Sequence, residues 1–191
     1  MLTISIQPFA PRRLFVFVVA ILCLGSAACL ADPLFMNVRS TPYDRQMTPI
    51  QSALSAAPEN SGEVNLELVN GWMQNLRAIP YSFSMEWKTP DEVENATGAD
   101  CKGKAVALYR RMQSHGANRV RLVIGKRTAA STVTHTWVEW QTREGTYVLD
   151  PTINWMACRV DQLDQNAYVP LYAYDGANKY RAATAMLLAQ N

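Results

Sequence analysis

With 191 residues, 49% of them apolar and 18% charged, the chain has the composition of one ordinary globular domain. Its 18 basic and 16 acidic residues are interspersed, with no basic block and no basic–aromatic stripe, which argues against a nucleic-acid partner. Four cysteines are too few to serve as a disulfide scaffold in a chain of this length.

Arg12 and Arg13 precede LFVFVVAILCLGSAACLA, an apolar run that ends in small residues and has the layout of a secretory signal. Cleavage after Ala31, with Cys29 and Ala31 at the two small-residue positions, would start the mature chain at Asp32 and place it in the periplasm or outside the cell. Two other fates are open. The run from Leu14 to Ala31 approaches the length of a membrane anchor, and Cys29 is a lipidation candidate, although Ser26 is a poor stand-in for the aliphatic residue such sites prefer. Membrane contact is expected only in those two cases. Loss of residues 1–31 removes two of the 18 basic residues and no acid, leaving 16 against 16 and a net charge of zero. Two cysteines then remain, Cys101 and Cys158.

Residues 32–58 contain four prolines and read as an irregular leader, so the folded domain is predicted over 59–191. Asn60 to Glu63 resembles a capping box opening a helix with Val64, Leu68, Trp72 and Leu76 at every fourth position. Thr89, Pro90 and Glu92 form a stronger start signal, an N-cap, a proline at the first helical position and an acid reaching back. Gly98 makes that helix short. The next helix begins at Cys101, capped by Asp100 or Ala99, with Val106, Tyr109 and Met112 on one face and Gly116 as its stop. Strands are predicted at 119–124, 133–140, 146–150 and 168–174, the second and third joined by a turn ending at Gly145. Helices first and strands later give an α+β fold in one domain.

The two histidines differ in their relation to Cys101. His115 sits fourteen residues along the same helix, roughly 21 Å away at about 1.5 Å per residue, and suits a C-terminal residue bonded to the last carbonyls. His135 lies on a strand and shares a face with Trp137 and Glu139. If Thr142 to Gly145 is a four-residue loop, Gln141 pairs with Thr146 and Trp137 lies opposite Asp150. Asp150 then shares a face with His135, on its diagonal, some 7 Å away between Cβ atoms. A three-residue loop would put it on the other face.

These residues have the chemistry of a thiol nucleophile. A helix N-terminus and a nearby imidazolium both stabilise a thiolate. His135 would form the ion pair and protonate the leaving amine, and Asp150 would hold the ring. The backbone N–H of Cys101 at the helix start is an oxyanion donor. The competing reading of the same residues is a buried thiol beside a structural histidine.

GADCKGKA, HTWVEW and YVLDPT, in that order, resemble the transglutaminase-like superfamily. The upstream VNLELVN and WKTPDEV are similar to segments of the bacterial transglutaminase-like cysteine proteinases, and the resemblance spans about residues 63 to 175. It implies a papain-like fold in which a helix carrying the cysteine packs on an antiparallel sheet carrying the other two residues. It also implies Cys101 as nucleophile, His135 as base and Asp150 as orienting acid. Calcium-dependent members carry acidic residues just after the cysteine. Here Lys102, Gly103 and Lys104 follow, and a hard cation wants several oxygen ligands, so no calcium, other metal or cofactor is expected.

The remaining candidates have structural readings. Trp137 and Trp140 are read as wall and core on opposite strand faces, with a groove role for Trp137 as the alternative. Trp87 is read as packing; the resemblance offers it as a second oxyanion contact. Glu139 is either a partner of the site or a pocket charge. Cys158 reads as a buried thiol, and Asn95-Ala96-Thr97 fits a glycosylation sequon, meaningful only in a eukaryotic secretory route. The expected activity is that of an exported cysteine peptidase or amidase with a protein or peptide substrate. Acyl transfer to an amine by the same residues is the alternative, and an inactive domain binding peptide or cell-wall material is a third. Oligomeric state is not legible in the sequence.

Overall fold

The computed structural model describes residues 34–59 and 62–183; the predicted signal segment lies outside the described residues. Among the described residues four α-helices, α1 (Gln51–Ser55), α2 (Leu66–Ala78), α3 (Pro90–Glu94) and α4 (Cys101–Ser114), accompany seven strands. The strands are β1 (Phe35–Asn37), β2 (Val120–Thr128), β3 (His135–Gln141), β4 (Thr146–Leu149), β5 (Cys158–Arg159), β6 (Ala167–Asp175) and β7 (Asn178–Ala182). They form one sheet in the order β1-β7-β6-β2-β3-β4-β5, with every neighbouring pair antiparallel. Among the described residues no helix is long and apolar enough to cross a membrane.

Helix α4 lies at the centre. Gly103 through Tyr109 are all buried, so the predicted single apolar face is in fact a helix covered on most sides. Val120, Leu122, Ile124, Val138 and Trp140 pack from the sheet into the same core as Val106, Leu108 and Met112. The opposite sheet face carries a second, smaller core of Val123, Trp137, Val148, Tyr168 and Ala173. That second layer explains why β2 and β3 are buried on both faces rather than alternating between core and solvent.

The helix starts show how local signals competed. The capping box at Thr89 and Glu92 forms as predicted. The one expected at 60–63 does not start α2; Asn60 lies outside the described residues, and Asn65 caps the helix, its Oδ1 accepting the Leu68 N–H at 2.9 Å. The buried face is therefore Val69, Trp72, Met73 and Leu76, and Leu68 is 39% exposed. Both patterns contain Trp72 and Leu76, so the phase followed from the cap. The expected irregular leader also belongs to the fold. β1 pairs with β7, and Met47, Ile50 and Leu54 are almost fully buried in the main core.

The β3–β4 hairpin has the predicted register, with Gln141 opposite Thr146 and Trp140 opposite Tyr147. Gly145 adopts φ 133° at the turn, a conformation that side chains disfavour. Beside the hairpin, β2 bulges between Ile124 and Gly125 where it pairs with β6. A Cβ at Gly125 would lie 2.3 Å from the Val169 carbonyl oxygen and 2.5 Å from the Trp137 ring. Only glycine allows β6 to approach there, and this approach brings Tyr168 under Trp137.

Candidate active site

Asp100 is the N-cap of α4, and Cys101 is its first residue. The cap's Oδ1 accepts the Gly103 N–H at 3.0 Å and its carbonyl accepts the Lys104 N–H at 3.1 Å. The cap thus serves the third and fourth amides and not that of Cys101. Cys101 is half-buried and not in a disulfide. His135 opens β3 and Asp150 directly follows β4, so the hairpin register sets both at one end of the sheet.

The His135 Nε2–H donates to Asp150 Oδ2 at 2.7 Å. Cys101 is the other side-chain partner of the imidazole, which leaves Nδ1 for the thiol. Burial alone would lower the His135 pKa. Interactions with Asp150 and with Cys101 outweigh it and raise the pKa to about 9. Asp150 is wholly buried, which by itself favours the neutral acid, but hydrogen bonds and the charge of His135 hold its carboxyl below the ordinary range. The three residues singled out in the sequence therefore meet. His115 does not join them; its Nδ1–H donates to the Arg111 carbonyl at 2.8 Å at the far end of α4.

Asp150 has further donors that sequence reading missed. The Tyr168 hydroxyl, itself buried, donates to the same Oδ2 at 2.9 Å, and the Thr152 N–H donates to Oδ1 at 3.0 Å. Asn154 Nδ2 donates to the Tyr168 hydroxyl at 2.9 Å. Both carboxylate oxygens are thus addressed by protein. Tyr168 was visible only as the start of a predicted strand. Trp137 is fully buried and packs edge-on against Tyr168 with ring centroids 5.3 Å apart, so it belongs to the second core and not to a groove. Glu139 is likewise buried, accepting from Arg121 Nη2 at 3.3 Å and from the Trp137 indole at 3.4 Å.

Two lysines tie α4 to the segment before it. Lys102 Nζ donates to the Ser84 carbonyl at 2.8 Å and to Asp100 Oδ2. Lys104 is almost fully buried and donates to the Ile79 carbonyl at 2.6 Å; burial lowers its pKa and Arg77 lowers it further, against a smaller opposing effect of Asp150. Beside Cys101 lies a cleft of about 400 Å³. Trp87 lines it and is buried, and its indole N–H has no hydrogen-bond partner among the described residues. A buried donor without a partner is costly, so packing alone does not account for this residue.

No family model matches the chain, and no curated protein matches it. Among solved structures it is similar to Legionella pneumophila LapG. The EGTA-treated form aligns at 14% identity over 65% of this chain and 71% of that one, with a TM-score of 0.54. A second LapG structure aligns at 13% identity over 66% and 75%, with a TM-score of 0.52. These likenesses show the fold, a papain/transglutaminase-like α+β arrangement of helices and antiparallel sheet.

Proposed function

We propose that the protein is an exported cysteine hydrolase that cleaves a peptide or isopeptide amide through a thioester on Cys101. The observation that carries this reading is the buried His135–Asp150 hydrogen bond with Cys101 as the other partner of the same imidazole. Cys101 Sγ attacks the amide carbonyl. The developing oxyanion is met by the Cys101 N–H at the helix start and by the indole N–H of Trp87. His135 gives its proton to the leaving amine as the C–N bond breaks, leaving an acyl-enzyme. A water then loses a proton to His135 and attacks the thioester, releasing the acid and the thiolate. Asp150 keeps the ring in one tautomer throughout. LapG, a transglutaminase-like cysteine protease, supports the reading by its likeness of fold. The layout of residues 12–31 supports export, which recovery of intact protein from the cytosol alone would contradict.

The test is mass spectrometry of peptide digests made with the wild-type protein and with Cys101→Ala. Hydrolysis adds one water across the cut bond, and an acyl adduct on Cys101 should be trapped by acid quench. Peptides joined to added amines in place of cut peptides would favour acyl transfer. The same assay addresses metals. The Lys102 ammonium already sits between the Asp100 carboxylate and the Ser84 carbonyl, an internal cation where a metal would need oxygen ligands to itself. EDTA is expected to change the rate less than twofold. A tenfold loss restored by calcium would overturn this.

A further inference from the structure

The cleft beside Cys101 has a wall that the hydrolytic chemistry does not use. Tyr81, Phe83, Met85 and Val133 line it and are 59, 68, 83 and 73% exposed. Four large apolar side chains around one opening are uncommon on a surface without a ligand. The backbone of residues 81–85 is not loosely held. The Ser82 N–H donates to the Ala99 carbonyl at 3.3 Å, the Ser84 N–H to Asp100 Oδ2 at 3.3 Å, and Lys102 Nζ to the Ser84 carbonyl. The segment is therefore fixed to α4 while Met85 stays exposed and Phe83 keeps most of its surface exposed, with Lys102 Nζ 5.2 Å from its ring centroid. The charged residues of the lining, Asp100 and Lys102, are ion-paired with each other, so the cleft offers no free charge to recruit an acidic or basic side chain. At about 400 Å³ it has room for a large side chain and the backbone bearing it.

Building on the hydrolase reading above, we infer that this wall selects the substrate: an extended polypeptide presenting a bulky, uncharged apolar side chain beside the scissile amide. Contact with that side chain removes apolar surface of Phe83, Met85 and Tyr81 from water and sets the carbonyl against Cys101. Remote contact of this kind positions the reacting bond.

The experiment uses quenched fluorescent peptides of one backbone, with Phe, Leu, Ala, Asp or Lys on either side of the cut bond. At one flanking position, Phe or Leu is expected to give a kcat/KM at least tenfold above Ala and higher still above Asp or Lys. A Phe83→Ala/Met85→Ala double variant should compress the Phe-to-Ala ratio below threefold, with its melting temperature recorded to confirm folding. Equal cleavage of all five peptides, or an unchanged ratio in a folded double variant, would overturn the inference. So would a concentration-dependent dimer that the double variant dissolves while the side-chain preference persists, because the wall would then seat a second copy of the chain. Failure of the hydrolase reading looks different: no peptide is cut, and Cys101 is alkylated no faster than Cys158.

Discussion

At pH 6, iodoacetamide is expected to alkylate Cys101 and to leave Cys158 nearly untouched, and His135→Ala should erase the difference. An ordinary thiol of pKa about 8.5 is almost wholly protonated at that pH, and only the thiolate attacks. Burial pushes the Cys158 pKa up, Arg127 opposes this, and Asp150 adds to it, so Cys158 is the slower reference within the same molecule. Cys101 faces an imidazole that holds its proton up to about pH 9, a cationic partner for a thiolate formed there. Without the ring, low-pH labelling at Cys101 should fall to the rate of Cys158. Turnover should fall by about 10³-fold or more, the scale on which such assemblies lose rate when one member is removed.

The two readouts should part above pH 9. Alkylation does not use the His135 proton and is not expected to decline there. On the proposed mechanism hydrolysis also uses the His135 proton for the leaving amine, and should decline as pH rises through about 9. Peptide mapping reports each cysteine separately. Equal slow labelling of both thiols, indifferent to His135→Ala, would mean that Cys101 is only a packed thiol.

The parts of this arrangement differ in how visible they are in the chain. The hairpin was legible because strand side chains alternate with period two and Gly145 marks the turn; one loop length then set Asp150 on the face of His135. The cap at Asp100 was legible from adjacent residues. Asn65 was harder to see, since Asn60 offered an equivalent signal five residues earlier. β1 and β5 have three and two residues, too few for alternation to be detected. The Tyr168–Asp150 bond spans eighteen residues and exists because β6 pairs with β2 rather than with β4. Strand order across a crossover leaves no local trace. The apolar wall was equally hidden, since the placing of Tyr81, Phe83 and Met85 beside Cys101 depends on bonds from Ser84 to Asp100 and Lys102, sixteen and eighteen residues away.

Asp150→Asn is expected to lower kcat/KM by about 10²- to 10⁴-fold while leaving Cys101 measurably reactive, and the reason lies in the donors around it. His135 Nε2–H, Tyr168 O–H and Thr152 N–H address its two oxygens. An amide has one oxygen to offer, so its NH₂ must face a donor, and the Tyr168 hydroxyl is already committed to accepting from Asn154. The imidazolium also loses the charge that raises its pKa, so the alkaline limb of hydrolysis should move down from about 9. Stability should respond with a definite sign. His135 has a folded pKa above its unfolded value of about 6.5, so its contribution is complete below pH 6.5 and is lost as pH rises through about 9. Asp150 has a lowered pKa, so its contribution is present above about pH 4 and is lost as pH falls through the folded value. Urea unfolding of the wild type should therefore weaken between pH 6 and pH 10, and Asp150→Asn should flatten that dependence. Tyr168→Phe separates orientation from charge. It keeps the His135–Asp150 pair and removes one donor, so the Asp150 pKa rises and the acid limb of kcat/KM should move up with little change at pH 9. An Asp150→Asn protein with wild-type kcat/KM and an unmoved alkaline limb would show that the carboxylate neither charges nor steers the imidazole.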